Sequence, residues 1–162
     1  MSIKSIQFAV CTHIAAVLGF WHGEPFTSAQ VADSLNADPG YVRRAIAKLA
    51  KAGIVTTTRG KNGACMLARA PEAITLLDIY RAAEAPPASV AHGYPVQPAC
   101  PVSIAMGPSM AGVLDRAQAA FEAALAQRTV GDLVEEIHAA NSGAVDAERL
   151  TKARPSRPQR AA

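Results

Sequence analysis

Aromatic side chains are scarce in this 162-residue chain: one Trp, three Tyr and four Phe, 5% of the total. Its core must therefore be built from aliphatic side chains and alanine. Cysteine is scarce too. Cys11, Cys65 and Cys100 are odd in number and far apart, which argues against a secreted disulfide scaffold and for a reducing, cytoplasmic setting. No apolar run approaches the roughly 18 uncharged residues of a membrane span. Residues 14–21 come nearest and are too short, so no membrane partner is expected. Residues 1–20 show neither a charged segment ahead of a long apolar one nor a small-residue cleavage site, so no signal peptide is expected. The chain also lacks a glycine-rich phosphate loop, HExxH, CxxC and a nucleophile elbow, so an enzyme is not expected.

What is present is apolar content, half of all residues, enough to exclude wholesale disorder. The formal charge of +3 is unevenly spread. Residues 1–70 carry eight Lys/Arg against three Asp/Glu, a net of +5; residues 71–150 carry four against ten, a net of −6; residues 151–162 carry four basic groups and no acid. A basic first half beside an acidic second half suggests a polyanion partner for the first half alone. The plain alternative, solvated Lys and Arg on helix faces, has to be weighed against the residue pattern.

Ile3, Ile6, Val10, Ile14, Val17 and Trp21 form one helical stripe, stopped by His22 and Gly23. Thr27 and Gln30 have capping-box spacing at the start of a second helix, whose inner side is Val31, Ala32 and Leu35. A turn at residues 36–38 leads to a third helix, with Asp38 as N-cap and Pro39 at a first position that needs no N–H. Val42, Ala45, Ile46 and Leu49 face inward; Gly40, Arg44, Ala47 and Lys51 lie opposite, with Arg43 and Lys48 beside them, and Gly53 ends the helix. The β-branched run at residues 54–58, the Asn62-Gly63 turn cue and a return at 64–69 predict a hairpin whose tip carries Arg59 and Lys61. Thr75 caps a short fourth helix; residues 85–107 read as a loop with five prolines and Cys100. Pro108 is expected to open the longest helix, to about Gln127, with a stripe through Met110, Val113, Leu114, Ala117, Phe121, Ala124 and Leu125. Thr129 and Asp132 cap a last short helix, which His138 would help to end. The expected class is α+β, mostly α: a winged helix-turn-helix with a long C-terminal dimerisation helix. Its expected parts are 1–84 for DNA binding, 85–107 as the loop, 108–140 for the dimerisation and final helices, and 141–162 as a disordered basic tail.

This order of parts resembles the Rrf2 family of bacterial winged-helix transcription regulators. The run YVRRAIAKLAKAGIVTTTRGKNGACMLARAPEAITLLDIYRAAE, residues 41–84, carries the resemblance, most specifically in LAKAGIV, RGKNGA, LARAPEAI and TLLDIYRAAE. CPVSIAMGPSM through QRTVGDL extends it, so that it covers about residues 3–138. The resemblance implies a cytoplasmic homodimer, formed through the long helix, on a pseudo-palindromic double-stranded DNA operator, most often as a repressor. It implies that Ser28 contacts a phosphate, that Tyr41, Arg43 and Arg44 meet bases or backbone, with Lys48 on the same helix, and that Arg59, Gly60 and Lys61 of the wing reach the minor groove.

Two departures matter. The family wing usually has two glycines and then an aromatic; here it reads Gly63-Ala64-Cys65, and Cys65, sharing a strand face with Leu67, is expected to fill the aromatic's place. Cluster-binding members place three cysteines in the loop before the dimer helix, whereas residues 85–107 hold Cys100 alone. A [2Fe–2S] cluster takes four ligands, so no cofactor and no metal site are expected. Cys100 is then a candidate redox sensor, set against a merely structural cysteine. The alternative is an iron–sulfur-dependent sensor with an atypical ligand set. A fourth reading, an interaction module that binds no DNA, would leave the basic helix and wing idle.

Overall fold

A computed structural model describes residues 3–58 and 63–142. The wing tip with Arg59, Gly60 and Lys61, and the tail from residue 143 onward, lie outside the described residues. The elements run α1 (Ile3–Phe20), β1 (Phe26–Thr27), α2 (Ser28–Leu35), α3 (Pro39–Lys51), β2 (Val55–Thr57), β3 (Ala64–Leu67), a 3-10 turn (Pro71–Ala73), α4 (Leu76–Ala82), α5 (Pro101–Ala126) and α6 (Val130–Ser142). This is the winged helix-turn-helix expected, with a long helix near its C-terminal end.

α1 is the spine of the core. Cys11, Ile14, Ala15 and Leu18 are essentially inaccessible, and α2, α3, α4, α6 and β3 all pack on this helix. The stripe read from the sequence holds at Ile14 and Val17 and fails toward the start of the helix. Ile6 is exposed and Val10 only half-buried, while Cys11 and Ala15 occupy the centre. Neighbours surround residues 14–19 on every side, so no single apolar face distinguishes the buried positions. Gly19 admits α6: a Cβ there would lie 3.0 Å from Val130 Cγ1.

The antiparallel sheet has the order β1-β3-β2. Val55 pairs with Leu67 and Thr57 with Cys65. Beyond β2, Thr58 N–H donates to Ala64 O at 2.8 Å, extending the hairpin toward the wing tip. β1 was not anticipated, since two residues give no alternation to read; it pairs Phe26 with Cys65. Along β3, Cys65 and Leu67 are buried while Ala64 and Met66 are half-buried, so Cys65 does fill an inner-face site. Its Sγ donates to Phe26 O at 3.1 Å.

α4 and α6 start with the same device. Thr75 and Asp78 exchange side-chain and backbone hydrogen bonds, as do Thr129 and Asp132. Leu76 N–H to Arg128 O and Val130 N–H to Ile74 O tie the two starts together.

Two expectations are corrected. The segment 85–107 is not all loop, because α5 begins at Pro101 rather than Pro108. Pro101 sits in the first turn, where a proline costs nothing. Pro108 lies inside the helix, on a surface stretch where the Ile104 carbonyl that loses its partner can turn to solvent. His138 does not end α6, which runs to Ser142; its ring stacks on Phe20 with centroids 4.1 Å apart.

Gly131 is buried against the 3-10 turn, and a Cβ there would meet Glu72 Cγ at 2.9 Å and its backbone N and Cα at 3.2 Å. Overpacking costs roughly 1–3 kcal/mol, against the roughly 0.5–1 kcal/mol that alanine gains over glycine in a helix. Gly131→Ala is expected to destabilise the fold by about 1 kcal/mol, read as a lower urea midpoint at matched protein concentration. An unchanged or raised midpoint would contradict this packing.

Candidate nucleic-acid interface

α3 forms because its caps and its apolar spacing agree. Asp38 Oδ1 accepts from Tyr41 N–H at 2.8 Å, with Pro39 next in the chain. At the other end Gly53, at φ 69°, donates to Ala50 O while Ile54 N–H donates to Leu49 O, a paired closure that relies on a left-handed residue. Val42, Ala45, Ile46 and Leu49 are buried, and the large aliphatic ones contribute about 1.5–3 kcal/mol each. With that face fixed, Arg43, Arg44, Ala47 and Lys51 have to stand exposed on the other.

The first turn of this outer face is compact. The Arg44 guanidinium carbon lies 5.8 Å from the centroid of the Tyr41 ring. A Cβ at Gly40 would lie 3.0 Å from Asp38 Oδ1, 3.8 Å from Arg44 Nη1 and 3.9 Å from Arg43 Nη2. Both guanidinium groups therefore fold back over the one position that has no side chain. Ser28 opens α2 directly after its Thr27 cap. With Arg43, Ala47, Thr57 and Thr58 it lines an open cleft of about 710 Å³ between the helix-turn-helix and the hairpin. Ser28, Arg43 and the hairpin are thus brought together, and Tyr41 and Arg44 sit beside them.

Lys48 stands apart. Its Nζ donates to Glu84 Oε2 at 2.7 Å and to Ala83 O at 3.5 Å, bridging α3 to the end of α4. Glu84 has left-handed backbone (φ 51°). The Lys48 hydrogen bond, reinforced by its charge, holds the Glu84 carboxyl below its ordinary pKa. No sequence signal joins residues 36 apart in the chain, so this partnership was not legible.

The three thiols differ. Burial pushes Cys11 up to about 11, against a smaller opposing influence of Lys48, and burial likewise pushes Cys65 up to about 11. Cys100 is partly exposed and occupies the N-cap position of α5, where its side chain makes no capping bond. Its N–H donates to Gln97 O, and its carbonyl accepts from Ile104 N–H.

Comparison with known proteins fits this geometry. Residues 5–136 match the model of the Rrf2 family, described as iron-dependent transcriptional regulators. The chain belongs to the Rrf2 family. YwnA of Bacillus subtilis, described as an HTH-type transcriptional regulator, is 32% identical over 131 residues, covering 81% of this chain and 96% of its own. The solved structure of CymR, the global cysteine regulator of B. subtilis, matches at 26% identity with a TM-score of 0.60, over 84% of this chain and 96% of its own. A transcriptional regulator from Lactobacillus plantarum, 23% identical, shares the fold with a TM-score of 0.72, over 91% of this chain and 98% of its own. This Rrf2 protein is accordingly a DNA-binding transcriptional regulator with a winged helix, and no described helix is long and apolar enough to cross a membrane.

The family's description implies iron, and the donor set here does not fit an iron–sulfur cluster. Two of the three thiols are core residues with raised pKa, and the loop before α5 offers one more. Among the described residues no three His, Cys, Asp or Glu side chains come together as metal ligands.

The placement of Lys48 can be tested by the salt dependence of binding to a fixed duplex. A phosphate contact contributes about 0.9 to the slope of log affinity against log salt. Arg43→Ala is expected to lower that slope by about 0.9, and Lys48→Ala to leave it nearly unchanged. An equal drop for both would contradict the Lys48 assignment.

Proposed function

We propose that this Rrf2 regulator is a cytoplasmic, cluster-free homodimeric repressor that reads a pseudo-palindromic operator through the outer face of α3. The observation that carries this reading is the exposed first turn of α3, with Arg43 and Arg44 converging beside Tyr41 on a half of the chain with net charge +5. A helix in the major groove reads bases with its N-terminal residues. Ser28 would take a phosphate at the start of α2. Arg59, Gly60 and Lys61 would follow the hairpin into the minor groove, where a narrow A/T stretch attracts arginine. Lys48 would support α4 rather than touch DNA.

The dimer is supported by α5. None of its 26 residues is buried, and Val102, Ile104, Met106, Met110 and Val113 stand exposed along its first half. A surface helix with that much uncovered apolar area calls for a partner, and a second copy of the same helix satisfies it symmetrically. Two copies would place their α3 helices about one DNA turn, roughly 10 base pairs, apart or a multiple of it.

Cys100 is the residue we assign to a redox response, because it is the partly exposed thiol and stands where the loop meets α5. Oxidation to a sulfenic acid or a disulfide there would place a new constraint between the DNA-binding half and the dimer helix. A duplex selected by the wild-type protein from a randomised pool tests both parts. Arg44→Ala is expected to weaken binding to it by about 1–3 kcal/mol and to relax preference at one base pair in each half-site. Peroxide is expected to weaken wild-type binding, dithiothreitol to restore it, and Cys100→Ser to bind without responding. Failure of the pool to yield any motif would overturn the DNA reading. Equal peroxide sensitivity of Cys100→Ser would overturn the redox assignment alone.

A further inference from the structure

We infer that Tyr41 is a positioning residue: its ring holds the Arg44 guanidinium ready to read one base pair, while Arg43, which lines the cleft beside the hairpin, serves the DNA backbone. The inference rests on the DNA-reading role proposed above and assigns the division of labour within it.

Three observations carry it. Tyr41 and Arg44 are three residues apart on α3, a spacing that makes side chains neighbours, and the guanidinium carbon is 5.8 Å from the ring centroid. Tyr41 is half-buried while Arg44 is exposed, so the ring lies beneath and the cation above it. Gly40, Arg44 and Ala47 follow one another along the outer face, so the positions before and after Arg44 carry little or no side chain. With the guanidinium groups lying over Gly40 and Ala47 small, a base edge would meet Arg44 before the helix backbone.

Arg43 is placed differently. It lines the cleft between α3 and the hairpin together with Ser28, Thr57 and Thr58. An arginine and hydroxyl donors lining one cleft suit the phosphate backbone, and such contacts carry no sequence preference.

The consequence is one of freedom. An unrestrained arginine loses much rotamer freedom when it docks on a base, whereas one already lying on a ring loses less. The planar fork, once oriented, matches the paired acceptors O6 and N7 of guanine. Tyr41 would therefore raise discrimination without donating or accepting a bond to DNA itself.

The test is selection from a randomised duplex pool by the full chain and by Tyr41→Phe, Tyr41→Leu, Arg43→Ala, Arg44→Ala and the Tyr41→Leu/Arg44→Ala double variant. The wild-type motif is expected to contain a guanine column that Arg44→Ala flattens. Tyr41→Leu, which keeps an apolar side chain but removes the ring, is expected to reduce preference in that same column by about tenfold, and Tyr41→Phe to retain it. The double variant should match Arg44→Ala, and Arg43→Ala should weaken all sequences alike. The inference is overturned if Tyr41→Leu leaves the column intact or alters a different one. It is equally overturned if Tyr41→Phe behaves like Tyr41→Leu, since the hydroxyl would then be the contact. A wild-type protein that enriches no sequence would remove the DNA reading and this inference together.

Discussion

The packing of α3 onto α1 decides where every charged side chain of the reading face can go. Val42 and Leu49 are sealed against a spine formed by Cys11, Ile14 and Leu18, and all five are at most 1% exposed. A helix fixed on one side by that much aliphatic burial has a single rotational setting. Arg43 and Arg44 follow as its exposed residues without any interaction of their own having to hold α3 in place. Asp38 at the start and Gly53 at the end fix the length of the helix, and so the height at which the arginines stand. The hairpin is positioned from the same core through Ile54, Val55 and the inner-face residues Cys65 and Leu67.

α4 and α6 are sealed into this core by Ile74, Ile79 and Val130, whereas α5 is attached to it by a polar strap and an aromatic contact. Tyr80 Oη donates to Pro86 O at 2.7 Å and receives a bond from Gln118, whose other amide atom accepts from Ala88 N–H. Phe8, Tyr80 and Phe121 follow in edge-to-face contact. Three of the eight aromatic residues are thus spent on one junction between α1, α4 and α5. Lys48 and Glu84 close the same junction from the side of α3. Under the redox proposal, a constraint at Cys100 would have to reach the recognition helix along α5 to Gln118 and Phe121 and through this junction.

Much of this was legible from residue order because local chemistry and burial agree in the N-terminal half. Thr27 with Gln30, Asp38 with Pro39, and Thr75 each announce a helix start, and each caps one. The α3 inner face was readable because its outer face is charged. α1 was less readable as a stripe, since burial on all sides erases the contrast that a stripe needs, although a packing role for Cys11 beside Ile14 and Leu18 was legible and holds. The start of α5 was hidden by Pro101 and Pro108, whose effect depends on position within the helix rather than on their presence. In the candidate site, the outer face of α3 was legible as a set of residues, but its internal order was not. The cation–π contact of Arg44 with Tyr41, the convergence over Gly40 and the diversion of Lys48 to Glu84 depend on side-chain directions and on contacts distant in sequence.

The central claim is that DNA meets this protein at the first turn of α3 and the cleft beside it. Backbone amide exchange, measured on the free full-length protein and on its complex with a selected duplex, tests this most directly. The account predicts slowed exchange over residues 28–30, 40–47 and 57–58, with the amides of α6 unaffected. Slowing confined to α5 and α6, with residues 40–47 exchanging as in the free protein, would contradict it.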